Sequence, residues 1–397
     1  MIALTDSVLS AIKGSIGREL LTELWAAPWD KSQLKTIDEL GAAHGTNTGT
    51  KRTRNEDRLA IARVTAHNQE RFTVALVCDG VGGSEMGDVA ATLAIAAFID
   101  ELSQVRTFLP LSDLLDQLIR KMDTTVQFAL GGRGTTTASI VLATSTGQFV
   151  AANIGDSRIF TWKPNALGFQ QISIDDTIEN ELLNLAVKDI SVLDARGLRG
   201  RLSQAIGEAD RTSNDLRIDV LSQGQFENSG MVLATDGAWK SVEAGFESLV
   251  FHAASAADAM RRVISFSAWT GGVDNVSIIA IENMLKFAKG EDEQAPLSSK
   301  TPKTTVWVCD SKITICDSTR SANTKHHAED HSPKLKAEAT NNKQKTKSAS
   351  RRKASNASPK KNGTQLSFAG DVNAESKQDN RKLKAEISTD QDSEVKP

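Results

Sequence analysis

The stretch DRLAIARVTAHNQERFTVALVCDG, residues 57–80, decides how this chain folds. Two compact apolar runs, 59–64 and 72–78, flank a polar link, and each has the length and residue types of a strand. An aspartate stands at each outer end: Asp57 precedes the first run and Asp79 follows the second. In an antiparallel pair the start of one strand lies beside the end of the other, so both carboxylates meet at one rim. The pattern recurs downstream, where Asp236 follows the run 231–235 and Asp274 stands just ahead of the run 276–281. Four anions gathered at the end of an apolar sheet repel one another and are costly to desolvate without cations.

Working outward, the runs 139–143, 149–154 and 158–162 also read as strands, and 87–102, 111–130 and 244–266 carry helical patterns. Short turns such as Gly155-Asp156-Ser157 predict hairpins rather than alternating βαβ units. Within residues 5–25, Val8, Ile12, Ile16 and Leu20 fall at helical spacing, which predicts an amphipathic helix packed on the domain. Residues 170–202 are polar and irregular, in the manner of a mobile flap over a site. The segment 304–315, TTVWVCDSKITI, alternates like a pair of edge strands.

Composition divides the chain. Up to about residue 283 it is rich in Ala, Val, Ile and Leu; from about Gly290 it turns to Lys, Ser, Asn, Asp and Glu, which predicts disorder. Between His331 and Lys361 ten Lys or Arg face one acid, a +9 cluster that leaves −12 on the remainder of a chain of net charge −3. That cluster has Phe368 as its nearest aromatic and no recognisable binding fold, so a solvated tail is expected rather than a nucleic-acid site. Three scattered cysteines, Cys78, Cys309 and Cys316, make no disulfide framework and suggest a reducing compartment. The longest apolar stretch, 89–99, is about half of a bilayer span, and no basic, apolar and cleavable leader opens the chain. A cytoplasmic protein without membrane contact is expected.

The residue types narrow the chemistry. All six His lie outside the Asp motifs, and oxygen-only coordination favours Mg²⁺ or Mn²⁺ over Zn²⁺. A single Asp-Gly pair is most simply a turn. That reading weakens when Asp79-Gly80 and Asp236-Gly237 each follow a strand and Asp274-Asn275 opens another. Glycine after aspartate also frees the backbone, so that the Gly80 carbonyl can turn toward a cation. The glycines of 79–87 are not a dinucleotide fingerprint, because Glu85 stands where the third glycine is needed. A cysteine-dependent phosphatase needs Arg six residues after its Cys, and those positions hold Ser84, Ile315 and Ala322.

Seven strings now fall in order: RTRNED (52–57), VALVCDGVGG (74–83), GTTTAS (134–139), ANIGDSRI (152–159), LSQAIG (202–207), LATDGAW (233–239) and GGVDNVSIIAIE (271–282). Over about residues 38–284 the chain resembles the metal-dependent protein phosphatases, the protein phosphatase 2C or PPM family, in its bacterial branch. The resemblance implies an α+β fold, a sandwich of two antiparallel β-sheets flanked by α-helices, with the site in a cleft at one end. It implies that Asp79 bridges two Mn²⁺ or Mg²⁺ ions, that the Gly80 carbonyl reaches one, and that Asp236 and Asp274 complete the other's shell. Asp57 would act directly or through water. Arg52 falls where the family places its phosphate-binding arginine, with Arg54 as competitor, and Asp156 where bacterial members place a ligand of a third, weaker metal. The implied reaction is hydrolysis of phosphoserine or phosphothreonine by direct attack of metal-bound water, with Asp79, Asp57 and Arg52 as the catalytic set. Departures are Val81 for the family's frequent Met or His, Ser84 where some members carry a general-acid His, and Asp175-Asp176-Thr177 where the flap often reads Asp-His-Ser.

The expected organisation is an N-terminal helical extension over 1–36, a phosphatase domain over 37–287 and a low-complexity, partly basic, mostly disordered tail over 288–397. Partners would be a phosphorylated protein and a cognate Ser/Thr kinase or its targets, with the chain acting as a monomer. Two other readings stay open: a phosphatase dedicated to one regulator or kinase, and a scaffold acting through its basic tail.

Overall fold

The computed structural model describes residues 5–163, 168–186, 191–222, 229–242, 245–290 and 302–317. Two sheets lie face to face. The first has seven strands in the order β13 (Ser311–Cys316), β12 (Lys303–Val308), β3 (Arg58–Thr65), β4 (Arg71–Cys78), β5 (Ala138–Thr144), β6 (Phe149–Ile154) and β9 (Leu221–Ser222). The second has six, in the order β1 (Gln33–Ile37), β2 (Ala42–Asn47), β11 (Val276–Ile281), β10 (Gly230–Ala234), β7 (Arg158–Trp162) and β8 (Gln170–Gln171). All their pairings are antiparallel.

Residues 59–62 of β3 and 74–78 of β4 are apolar at every position because both faces of the strands are covered there, one by the opposite sheet and one by α3 (Gly87–Ser103). That helix is itself buried nearly all round, which explains why its sequence shows no polar stripe. Outside it, α4 (Leu111–Leu130) presents Leu115, Leu118, Ile119, Met122 and Val126 at helical spacing and ends on Gly131 in the left-handed conformation. On the far side, α7 (Asp236–Lys240), α8 (Gly245–Phe251) and α9 (Ala256–Trp269) pack Phe246, Met260 and Val263 onto Trp162, Val232 and Ile278 of the six-stranded sheet. None of the described helices is long and apolar enough to cross a membrane.

Several expectations are corrected in detail. The helix expected over 5–25 breaks into α1 (Asp6–Ala11) and α2 (Ser15–Ala26), because the backbone N–H groups of Gly14 and Gly17 both donate to the Asp100 carboxylate of α3, each at 2.9 Å. A Cβ on Gly14 would meet Asp100 Oδ1 at 2.0 Å, so the break requires glycine. Ile16, Leu20, Leu21 and Leu24 of α2 are buried in the main core, and β1 begins at Gln33, so the proposed line at residue 36 cuts a strand. The helical pattern over 244–266 becomes two helices, since Ser255 caps a new one by accepting from the Asp258 N–H at 3.2 Å. Within the expected flap lie α5 (Ile178–Asn184) and α6 (Ser191–Arg196).

The alternation over 304–315 does form a hairpin, and β12 pairs with β3 from Lys303↔Thr65 to Trp307↔Ile61. The sheet therefore continues past the expected boundary at residue 287, through α10 (Met284–Lys289) and the hairpin. The rest of the expected tail, residues 291–301 and 318–397 with the basic cluster, lies outside the described residues.

Candidate metal centre

Pairing of Arg58 with Cys78 sets Asp57 and Asp79 side by side at one end of the seven-stranded sheet. Across the sandwich, pairing of Ala234 with Ile278 brings Asp236, the first residue of α7, to the same end as Asp274. Asp156 arrives from the turn between β6 and β7. A cleft of about 430 Å³ opens there, lined by Arg52, Asp79, Gly80, Asp156, Asp236, Lys240 and Asp274, among others. Asp57 lies beneath it, fully buried.

Polar side chains that the sequence reading passed over fix these carboxylates. The Thr235 hydroxyl donates to Asp57 Oδ2 at 2.9 Å, and the Asn55 carboxamide oxygen accepts from the Asp57 N–H at 3.0 Å. Asn55 also donates to Thr46 Oγ1, which bonds the Ser277 hydroxyl, each at 2.8 Å, so one polar chain crosses between the sheets. The Asp79 carbonyl accepts from the Thr137 N–H at 2.9 Å and the Thr136 hydroxyl at 2.8 Å, and Thr137 Oγ1 meets Ser157 Oγ at 2.7 Å. The GTTTAS and GDSR strings thus build the wall that seats Asp79. Gly80 must be glycine, since a Cβ there would stand 2.5 Å from the Gly87 backbone. Position 237 is tighter, at 1.9 Å from the Asn275 carbonyl oxygen.

The electrostatics are those of crowded, desolvated carboxylates. Burial pushes Asp57 up to about 7; the Ser277 and Thr235 hydroxyls oppose this, and Asp236 and Asp274 add to it. Burial, then the charges of Asp57 and Asp236, raise Asp79 well above the ordinary carboxylate range. Burial and Asp236 raise Asp156. Asp236 is also buried but ends below its ordinary value, because Lys240 sits beside it and Asp79 is hydrogen-bonded to it.

Arg52 turns into the cleft and donates to Asp274 Oδ2 at 2.9 Å, whereas Arg54 is turned to Glu56 and, at 3.6 Å, to Asp88. Ser84 closes its own turn by donating to the Val81 carbonyl at 2.9 Å. Asp175 is held in a two-pronged pair by Arg158, and Asp176 Oδ2 accepts from the Gly155 N–H at 2.9 Å, so the departures from the family's flap string are structural bonds at the flap's base.

The donor set fits hard divalent cations: all oxygen, strongly desolvated, with Asp57 Oδ1 buried and without a hydrogen-bond partner among the described residues. The carboxylates are brought together in pairs rather than closed on one point, since no group of three His, Cys, Asp or Glu among the described residues converges as a finished ligand cage. Asp79 faces Asp236, Asp274 is taken by Arg52, and Lys240 lies between Asp156 and Asp236.

An acidic rim crowned by an arginine, at the end of a two-sheet sandwich, defines a site for cation-assisted chemistry on a phosphate. Residues 44–267 match the family model of protein phosphatase 2C, and the chain belongs to that family. It is similar to protein phosphatase PhpP of Streptococcus pneumoniae, with 26% identity over 246 residues, 59% of this chain and 94% of the relative. Serine/threonine phosphatase stp of Listeria innocua is likewise 26% identical, over 259 residues, 62% of this chain and 97% of the relative. Among solved structures, a bacterial serine phosphatase superposes with a TM-score of 0.51 at 20% identity, over 63% of this chain and 98% of that one. The Streptococcus agalactiae serine/threonine phosphatase gives 0.50 at 18%, over 63% and 99%. At these identities the structures speak for the fold alone.

Proposed function

We propose that this chain is a serine/threonine phosphoprotein phosphatase in which Asp57, Asp79, Gly80, Asp236 and Asp274 hold two divalent cations, Mn²⁺ or Mg²⁺. The observation that carries the assignment is the buried Oδ1 of Asp57, without a hydrogen-bond partner among the described residues, beneath a rim of mutually repelling carboxylates. When bound, such a metal pair supplies an activated water and neutralises the phosphoryl oxygens. The chain's own residues do the rest. Thr235 and Asn55 orient Asp57, the Thr136–Thr137 pair seats Asp79, and Arg52 stands at the mouth with a fork suited to a phosphate. Ser84 is engaged in its own turn, so leaving-group protonation by a side chain at that position is not part of this reading.

Its substrates are phosphorylated proteins. A cognate Ser/Thr kinase, or that kinase's targets, is the partner class we infer, with the enzyme acting as a cytoplasmic monomer whose cleft is built from one chain. The test is metal removal and return. Turnover of a phosphoserine peptide should stop with chelator and resume with Mn²⁺, while Asp79→Asn and Asp236→Asn stay folded by circular dichroism and lose nearly all activity. Undiminished turnover after exhaustive chelation would sink the assignment.

A further inference from the structure

Asp156 is the residue expected to bind a third metal, and the space it shares with Asp236 already holds a cation. Lys240 Nζ lies 2.9 Å from Asp156 Oδ2 and 2.8 Å from Asp236 Oδ2. The placement follows from the helix. Lys240 ends α7 one turn after Asp236, so the two side chains share a face, and the lysine stem is long enough to reach across to the β6–β7 turn.

The ammonium is held from several sides. It stands 5.1 Å from the centroid of the Trp239 ring, whose Nε1 donates to the Asp156 carbonyl at 3.2 Å. The Arg158 guanidinium lies 3.3 Å from that centroid and is itself fixed by Asp175. A divalent ion the size of Mg²⁺ shared by Asp156 and Asp236 would need both oxygens at about 2.0–2.1 Å. An ammonium within 3 Å of both oxygens fills the same space, and its charge repels a second cation there. A third metal therefore does not fit the residues present.

We propose that the Lys240 ammonium takes the place of a third metal ion in this chain, so that Asp156 neutralises a lysine instead of binding a metal. The proposal rests on the two-metal reading above and adds to it that the count stops at two. The third positive charge is covalently attached, present whatever the metal concentration, and beyond the reach of a chelator.

The test counts ions. The full chain is dialysed to equilibrium against rising Mn²⁺, and bound metal per chain is measured by atomic emission, with a thermal melt to verify folding. Wild type should saturate at two, and Asp156→Asn should leave that number unchanged. Lys240→Asp, which replaces the ammonium with a carboxylate, should gain one further ion, and adding Asp156→Asn to it should remove that ion. A wild type that reaches three, and falls to two with Asp156→Asn, overturns the proposal. So does a folded Lys240→Asp that gains nothing. Should Lys240→Asp not fold, the wild-type and Asp156→Asn pair decides alone. Failure of the underlying reading looks different: the first two ions would then survive Asp79→Asn.

Discussion

Asn275 ties down the loop that carries Arg52: its Oδ1 accepts from the Glu56 N–H at 2.8 Å, and its Nδ2 donates to the Thr48 and Arg54 carbonyls at 2.8 and 3.1 Å. One carboxamide thus positions the arginine loop against the residue after Asp274. Asn275→Ala would leave buried backbone groups unpaired, at about 1–3 kcal/mol. The expected outcome is a lower melting temperature together with a raised KM for phosphopeptide. An unchanged KM in a destabilised variant would show that the loop's position does not set phosphate binding.

Arg52 and Arg54 should behave differently. Arg52→Ala removes the only one of the two that lines the cleft, and should lower kcat/KM by roughly 10–150-fold, the worth of a charge-assisted bond of about 1.5–3 kcal/mol. Arg54→Ala breaks half-exposed ion pairs and should leave kcat/KM within about twofold. The reverse pattern in steady-state kinetics would mean that Arg54 meets the phosphate.

His44 supplies a pH dependence away from the site. Burial, with Lys35 nearby, pushes it down to about 3, and neither ring nitrogen has a partner among the described residues, so it is neutral in the fold. The unfolded chain takes up a proton below about 6.5 and the folded chain does not, so stability is present above that pH and falls as pH drops toward 3. Each pH unit in that window costs about 1.4 kcal/mol. Between pH 7 and pH 5, urea unfolding at fixed Mn²⁺ should show wild type losing about 2 kcal/mol more than His44→Leu. Equal losses would mean that His44 is protonated in both states or in neither.

The hairpin after residue 302 belongs to the catalytic fold. Trp307 of β12 is buried opposite Ile61 of β3, the strand that begins beside Asp57. Trp307→Ala should cost about 3–5 kcal/mol. Ending the chain at residue 290 rather than at 317 should destabilise it further, as read by urea unfolding. A chain ending at 290 with the stability of one ending at 317 would make the hairpin an ornament.

Much of this was legible in the sequence where local pattern and tertiary role coincide. Next to Asp57 and Asp79 the residues 59–62 and 74–78 are apolar at every position because both faces of β3 and β4 are covered there, and antiparallel pairing alone carries the carboxylates to one rim. β2 was not legible: AAHGTN looks like a loop. Its glycine lets α9 approach closely, with Ile264 Cδ1 2.6 Å and the Gln33 carbonyl oxygen 3.1 Å from where a Cβ on Gly45 would stand, a packing feature that no periodicity reports. Lys240 was equally silent, since its meaning depends on a turn 84 residues away in sequence. Thr235 and Asn275 were each visible beside an aspartate, but their bonds run to segments more than 170 residues away, which spacing cannot show.

The Trp239 indole, stacked against Arg158 and bonded to the backbone of Asp156, gives the rim an optical consequence. With no tyrosine and six tryptophans in the chain, indole dominates its near-ultraviolet emission. An indole flanked by two cations has an excited state tuned by their field. Whatever moves Lys240 or Arg158 should shift this residue's colour and yield, so the protein carries its own dye at the edge of the cleft.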